Sequence, residues 1–142
     1  MIEKHINGTK SELLAEYYLI THGYAISKPI NDFLEYDFVA EDVNGKLYKI
    51  QVKTIYFDNN KQRWVASCVT SHIHGNNKRT NKKYTKKSFD FGLFICAEYN
   101  KAYLIPISLI EGRRGITFYP NGKNNKSNTR YKDFEIYCDN II

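Results

Sequence analysis

Residues 35–54 read EYDFVAEDVNGKLYKIQVKT, with an Asn-Gly pair at 44–45 between two segments in which apolar and polar side chains alternate. Such alternation indicates β-strands with one buried face, and Asn-Gly is a strong signal for the turn of a hairpin. We therefore predict two antiparallel strands, Glu35–Glu41 and Leu47–Tyr56. The register between them decides which side chains share a face.

The length of the turn sets this register, and only one of two candidate turns produces a uniform apolar face. A two-residue Asn44-Gly45 turn would mix polar and apolar side chains on both faces. A three-residue loop that begins at Val43, with Gly45 in the left-handed conformation, separates them. We predict this second register, in which the apolar pairs are Tyr36–Val52, Phe38–Ile50 and Ala40–Tyr48.

The opposite face of the predicted hairpin collects polar side chains. Asp37 is expected opposite Gln51, and Glu35 opposite Lys53, because side chains alternate along each strand. A phosphodiester resists hydrolysis because its negative oxygens repel the nucleophile, so a cleaving enzyme uses acidic groups to hold Mg²⁺ and a nearby cation. Asp37, Gln51 and Lys53 fit that chemistry. Glu35 is a rival acid, although an ordinary cross-strand pair with Lys53 also explains it.

A helix is predicted before the hairpin. Residues Thr9–Glu12 match the capping box T-x-x-E that opens helices, and Gly23 is suited to end the helix. Glu12 could therefore cap this helix at the Thr9 backbone, or it could be a further acid of the phosphodiester site. The apolar stripe that should face the core is Leu13, Leu14, Tyr17, Tyr18 and Ile20.

Other short apolar segments bounded by turn residues predict further strands. These are Tyr24–Ser27, Arg63–Val69, Phe89–Cys96, Ala102–Pro106, Ile116–Tyr119 and Asp133–Tyr137. The polar stretch Ser71–Ser88 is predicted to be a loop. The length of 142 residues is that of one domain, so residues 1–142 are predicted to form a single domain.

Polar and charged residues, including Lys4 and Lys10, interrupt the apolar stretch at the N-terminus. They argue against a signal peptide and a membrane-spanning segment. We expect no membrane association and an intracellular protein, cytoplasmic or nucleoid-associated, or in the matrix of an organelle. The odd number of cysteines, three, predicts reduced and mostly buried thiols.

The net charge of +6 is distributed unevenly. The windows Asn59–Phe89 and Gly112–Lys132 contain no acidic residue, yet they hold eight and six of the 21 Lys and Arg residues. This pattern is typical of a polyanion-binding protein, although a solvated basic loop is the plainer alternative. Tyr84 and Tyr131 lie inside these windows and could stack on bases. The predicted DNA contacts, in a basic loop at 71–88 and a basic C-terminal segment at 112–132, are Lys78, Arg79, Lys82, Lys83, Lys86, Lys87, Arg113 and Arg114.

Gly8 and Glu12, then Asp37, then the run Gln51-Val52-Lys53-Thr54 together resemble the PD-(D/E)xK nuclease superfamily. The likeness continues through Asp90–Ile95 and Tyr103–Ile107. It implies an α/β (α+β) fold with a restriction-endonuclease-like core, in which an N-terminal helix packs on a mixed central sheet and a β-meander carries the site. The glutamine at the second acidic position is similar to the small homing endonucleases encoded by group I introns.

The resemblance implies that Glu12, Asp37, Gln51 and Lys53 are catalytic and that the first three hold Mg²⁺, for which Mn²⁺ could substitute. Lys53 would orient the attacking water or neutralise the oxyanion. The sequence departs from the family twice, since Tyr36 replaces the proline usual before the first acid and Gln51 is neutral. Fewer carboxylates should weaken metal binding until DNA phosphate supplies further oxygen ligands.

The resemblance implies a Mg²⁺-dependent endonuclease that acts on double-stranded DNA as a homodimer or homotetramer. A small chain gains a longer target and a second active site through twofold symmetry. Two alternatives stay open. A Holliday junction resolvase would use the same core on branched DNA, and a non-catalytic nucleic-acid-binding module would need the basic segments alone.

Overall fold

A computed structural model describes residues 2–74, 78–122 and 134–142. The chain begins with one long helix, α1 (Ile2–Thr21). Short 3₁₀ turns lie at Ala97–Tyr99, Ile107–Leu109 and Glu135–Tyr137. The strands are β1 (Ala25–Ser27), β2 (Phe38–Glu41), β3 (Leu47–Thr54), β4 (Tyr56–Asp58), β5 (Arg63–Ser67), β6 (Val69–His74), β7 (Lys78–Lys83), β8 (Phe91–Cys96), β9 (Lys101–Pro106), β10 (Gly115–Phe118) and β11 (Cys138–Asn140).

The central six-stranded sheet has the order β1-β2-β3-β8-β9-β11. Strands β3 and β8 are parallel and the other neighbours are antiparallel, which makes the sheet mixed. Helix α1 covers one face, where Ala15 and Leu19 pack against Phe38 and Ile50 in a buried cluster. The predicted fold class, a helix packed on a mixed sheet that carries the hairpin, is confirmed.

The long connection between β3 and β8, together with β10 from later in the chain, forms two smaller sheets. One has the order β10-β5-β4, and the other is a two-stranded ribbon of β6 and β7. A second buried cluster, which includes Ile55, Phe94, Tyr103 and Phe118, fills the space between the central sheet and this connection. The central sheet is therefore buried on both faces, and the ribbon starts close to β3.

The structure corrects the predicted start of the helix. Helix α1 begins at Ile2, so Thr9–Glu12 lies in its interior and the capping-box interpretation is wrong. The residues that face the core are Ser11, Ala15, Tyr18 and Leu19, whereas much of the predicted apolar stripe is exposed. The predicted end is correct, because Gly23 has a φ of 89° and its N–H donates to the Ile20 carbonyl at 3.1 Å.

Two other predictions of secondary structure are wrong. Most of the predicted loop Ser71–Ser88 is the β6–β7 ribbon, whose register runs from Val69 opposite Lys83 to His74 opposite Lys78. Most positions of both strands are polar, so the sequence has no alternation of apolar and polar residues that would indicate this pairing. The predicted strand Asp133–Tyr137 is a 3₁₀ turn where the structure describes it, because Glu135 turns inward to accept hydrogen bonds from Tyr103 and Tyr119.

All three cysteines lie in the described part of the chain and are free thiols, with Cys68 and Cys96 buried. This agrees with the predicted reduced state. Among the described residues, none of the helices is long and apolar enough to span a membrane.

Candidate active site

The predicted register of the hairpin is confirmed. Phe38 pairs with Ile50 and Ala40 with Tyr48, as the three-residue loop requires. Gly45 has a φ of 83°, in the left-handed region that favours glycine, and its N–H donates to the Asp42 carbonyl at 3.0 Å. The side chains of β3 therefore alternate as expected, with the buried Ile50 toward α1 and its neighbours on the other face.

The hairpin changes geometry at Asp37. Within the described residues the β2–β3 ladder ends at Phe38, so the expected pairs Tyr36–Val52, Asp37–Gln51 and Glu35–Lys53 do not form. Instead the Asp37 N–H donates to the Ile50 carbonyl at 2.8 Å, and the Asp37 Oδ2 accepts the Val52 N–H at 2.8 Å. A carboxylate thus takes the place of a main-chain acceptor, which fixes Asp37 against the middle of β3.

The surroundings of Asp37 favour a cation nearby. Burial raises the pKa of the Asp37 carboxyl above its ordinary value, while the Val52 N–H and the Lys53 ammonium act in the opposite direction. A partly buried carboxylate is stabilised by positive charge, so an ion beside Asp37 would offset the cost of its burial.

Glu12 approaches Asp37 from helix α1. Burial and then the negative charge of Asp37 raise the pKa of the Glu12 carboxyl, which means that the two carboxylates are close enough to repel each other. Because Glu12 lies inside the helix, capping no longer accounts for it. The structure therefore brings these two predicted residues together.

Lys53 lies on the face of β3 opposite Ile50, and its ammonium is held inside the fold. Its Nζ is 3.5 Å from the Val69 carbonyl oxygen and 5.0 Å from the centre of the Tyr84 ring. Burial lowers the pKa of the Lys53 ammonium, and the negative charge of Asp37 acts against this shift. Gln51 lies two residues before Lys53 on the same face of β3, as the confirmed register requires.

The donor set suits a hard divalent ion, since carboxylate and amide oxygens are the ligands that such ions prefer. Asp37 and Glu12 carry carboxylates, and the charge of Asp37 raises the pKa of the Glu12 carboxyl. Gln51 carries an amide. In the part of the chain that the structure describes, no group of three or more His, Cys, Asp and Glu side chains is arranged to hold a metal. A divalent ion held by Asp37 and Glu12 would therefore need further oxygen ligands, which the Gln51 amide and groups from outside the protein could supply.

Glu35, the rival acid, does not pair with Lys53 as expected. Its Oε1 lies 3.6 Å from the Nζ of Lys82 on the ribbon. Its Oε2 is buried and has no hydrogen-bond partner among the described residues. The predicted cross-strand pair is wrong because β2 begins three residues later, which frees Glu35 to turn toward the ribbon.

The predicted DNA contacts fall on two described surfaces. Lys82 and Lys83 are exposed on β7, and Lys86 and Lys87 are exposed in the turn that follows. Arg113 and Arg114 are exposed before β10, although Arg113 also donates to the Leu109 carbonyl at 2.7 Å. Lys78 and Arg79 belong to β7, but their side chains, and residues 123–132 of the C-terminal segment, lie outside the described part.

Sequence reasoning missed two residues near the site. Lys28 lies 2.7 Å from Glu16 and its positive charge acts on both Glu12 and Asp37. Its sequence position suggests that Tyr84 could stack on bases, but Tyr84 is 3% exposed and lies beneath the Lys53 ammonium. The other expected platform, Tyr131, lies outside the described residues. The only sequence signal for a functional role of Tyr84 is its position between two pairs of lysines.

Solved structures share this fold. A bacterial homing endonuclease, I-Ssp6803I, is similar over 94% of this chain and 87% of its own, with a TM-score of 0.78 and 23% identity. MepB is similar over 82% of this chain and 85% of its own, with a TM-score of 0.51 and 18% identity. No curated protein matches the sequence.

The sequence also matches a family model. The match is to the PD-(D/E)XK endonuclease model and covers residues 2–138, which span the helix, the hairpin and the ribbon. Those elements carry Glu12, Asp37 and Lys53, and the negative charge of Asp37 acts on both of the other groups. The chain therefore belongs to the PD-(D/E)XK endonuclease family.

Proposed function

We propose that this protein is a Mg²⁺-dependent endonuclease that cuts double-stranded DNA at specific sites, as homing endonucleases do. The observation that carries the proposal is the placement of Asp37, whose carboxylate is held by the Val52 N–H at 2.8 Å next to Lys53 on β3 and whose charge acts on Glu12 of helix α1. Carboxylates and a half-buried ammonium whose pKa values are shifted by one another are typical of functional sites, and phosphodiester cleavage uses groups of this kind. The protein would act where DNA is, in the cytoplasm or nucleoid or in an organelle matrix.

The acidic and amide side chains and the lysine would have different roles in cleavage. Asp37 and Glu12, with the Gln51 amide, would hold the metal ion, for which Mn²⁺ could replace Mg²⁺. Such an ion, when bound, polarises a phosphate oxygen and lowers the pKa of water. Lys53 would place its charge beside the scissile phosphate, where it orients the attacking water or offsets developing negative charge. The hydrogen bond from Val52 keeps the Asp37 carboxylate in place.

The ribbon is the element that we propose enters the DNA. A two-stranded β-ribbon fits the major groove of B-form DNA, and β6–β7 is such a ribbon. Lys82 and Lys83 on β7 would meet phosphates, with Lys78 and Arg79 nearer its tip. Lys86, Lys87, Arg113 and Arg114 would extend the basic surface beyond the base of the ribbon.

Gln51 offers a direct test of the metal assignment. Gln51→Glu adds a carboxylate to the donor set, so we expect the Mg²⁺ concentration for half-maximal cleavage to fall by roughly tenfold. Gln51→Ala should raise that concentration. Titrations of cleavage rate against Mg²⁺ and Mn²⁺ would measure both changes. An unchanged metal requirement in both variants would exclude Gln51 from the metal site.

The outer face of α1 supports the proposed assembly from two copies. Ile6, Leu13 and Ile20 lie seven residues apart on the side away from the sheet and are 58%, 59% and 58% exposed. A heptad spacing of apolar residues is typical of a helix seam. Antiparallel pairing about a twofold axis at Leu13 would set Ile6 against Ile20 of the partner subunit and Lys10 near Glu16 of the partner subunit. We propose a homodimer on this face, which could pair again into a homotetramer.

The α1 face can be tested without touching the cluster. We expect Ile6→Glu to convert the protein to a monomer, because each end of the seam would then bury an unpaired carboxylate against Ile20 of the partner subunit. Light scattering coupled to size-exclusion chromatography would measure the mass. Ile136→Glu is the matched control, since Ile136 is 78% exposed on another surface. Equal masses for the wild type and Ile6→Glu would rule out this interface.

One set of assays separates the proposed function from its alternatives. Purified protein with Mg²⁺ is incubated with plasmid, with linear duplex and with four-way junctions of unrelated sequence. Discrete cuts in linear duplex support a site-specific endonuclease. Cuts confined to junctions would indicate a Holliday junction resolvase. Binding without cleavage in Mg²⁺ or Mn²⁺ would indicate a non-catalytic binding module.

A further inference from the structure

The two ends of the ribbon meet at the Lys53 ammonium. Val69 is the first residue of β6 and pairs with Lys83, the last residue of β7, and Tyr84 follows directly. The Lys53 Nζ lies 3.5 Å from the Val69 carbonyl oxygen and 5.0 Å from the centre of the Tyr84 ring. The base of the ribbon thus supplies both neighbours that the ammonium contacts at these distances.

The Tyr84 ring is held firmly enough to act as a support. It is 3% exposed, and it packs edge-on against Phe89 with ring centres 4.8 Å apart and planes inclined by 67°. Phe89 is itself 2% exposed. A ring with this little freedom keeps one face toward Lys53, and the face of an aromatic ring attracts a cation.

Lys53 needs such support. A lysine ammonium is a compact charge on a flexible four-carbon stem, so its position is spread over many rotamers unless partners restrict it. Two neighbours, the Val69 carbonyl and the buried Tyr84 ring, restrict the ammonium without neutralising its charge. Asp37 attracts the ammonium toward the cluster.

We propose that Tyr84 is a positioning residue for Lys53, and that the base of the ribbon thereby ties the location of the ammonium to the element that grips DNA. The inference rests on the proposed function of Lys53 as the cation beside the scissile phosphate. Tyr84 acts through Lys53 and does not touch the substrate. Its aromatic face is the part that matters, and its hydroxyl is dispensable.

The test compares two substitutions of one side chain with a packing control. Tyr84→Leu removes the ring, and Tyr84→Phe keeps it. Phe89→Leu removes a comparable buried ring that packs on Tyr84. We expect Tyr84→Leu to lower kcat by roughly tenfold with KM for DNA within about twofold, whereas Tyr84→Phe stays near the wild type. Thermal unfolding would verify that each variant is folded at the assay temperature.

Each outcome decides the proposal. Loss in Tyr84→Leu with recovery in Tyr84→Phe, and a smaller loss in Phe89→Leu, supports positioning by the ring. An equal loss of kcat in Phe89→Leu would mean that the loss in Tyr84→Leu comes from disturbed core packing. An equal loss in Tyr84→Phe would assign it to the hydroxyl. Either result overturns the proposal, as does an unchanged kcat in folded Tyr84→Leu.

A second measurement does not depend on cleavage or on folding of the leucine variant. In the wild type the ε-methylene protons of Lys53 should show an upfield ring-current shift by NMR, which Tyr84→Phe retains. Absence of that shift would overturn the contact and the proposal. A wild type that shows the shift but cuts none of the DNA substrates would instead reject the proposed function of the site.

Discussion

We expect Lys53→Ala and Asp37→Ala to abolish DNA cleavage, with a loss of at least about 10³-fold, and to leave DNA affinity within about threefold of the wild type. In the proposed mechanism these side chains stabilise charge that develops at the phosphate and contribute little to holding the bound duplex. Single-turnover cleavage in Mg²⁺ measures the first effect. Fluorescence anisotropy with labelled DNA measures the second.

The hairpin itself offers matched controls for these two variants. Lys49 lies on the same strand and on the same alternating face as Lys53, but it is exposed and lies 5.4 Å from the centre of the Tyr36 ring. Glu41 is exposed at the far end of β2. Lys49→Ala and Glu41→Ala should cleave at nearly the wild-type rate. Cleavage retained in both Lys53→Ala and Asp37→Ala would reject the active-site assignment.

Burial made the hairpin predictable. A shift by one residue would turn Phe38 and Ile50 from the core to the other face, so a single register satisfies the apolar pattern. The apolar pattern does not predict the geometry at Asp37, because the main-chain groups of the two strands stop pairing with each other at Phe38. There the Asp37 carboxylate accepts the Val52 N–H in place of a main-chain carbonyl, and the apolar pattern of a sequence contains no sign of such a hydrogen bond.

The buried face of helix α1 was predicted wrongly for a different reason. It carries apolar side chains on both sides, so the sequence pattern could not tell the face that packs on the sheet from the face of Ile6, Leu13 and Ile20. The proximity of Glu12 to Asp37 follows from the rotation of the helix against the sheet, which tertiary packing decides. Only the resemblance to a nuclease family had suggested it.

The β6–β7 ribbon could not be predicted from the sequence, because main-chain pairing stabilises it and neither of its faces is predominantly apolar. A stretch without apolar alternation resembles a loop. The contact between Tyr84 and Lys53 is also beyond local patterns, since it depends on the ribbon returning its second strand to the start of its first. Long-range closure of this kind leaves no spacing signal in a sequence.

The ribbon should dominate the salt dependence of DNA binding. Replacing Lys82, Lys83, Lys86 and Lys87 together by alanine should flatten the slope of log affinity against log salt by roughly two to four units, because each phosphate contact contributes about 0.9. Lys82 and Lys86 have acidic neighbours, Glu35 at 3.6 Å and Glu111 at 4.0 Å. These pairs are exposed on the lysine side and weak, so DNA phosphate can replace the acid as partner.

A control of equal charge isolates the effect of location. Replacing Lys4, Lys46, Lys49 and Lys101 by alanine removes the same four charges from other surfaces and should change the slope by less than about one unit. Anisotropy titrations over a range of salt concentrations would measure both variants. At saturating concentration the ribbon variant should still cleave, since Val69 and Tyr84 continue to hold Lys53. Equal slopes in the ribbon variant and the wild type would mean that DNA lies along another face of the protein.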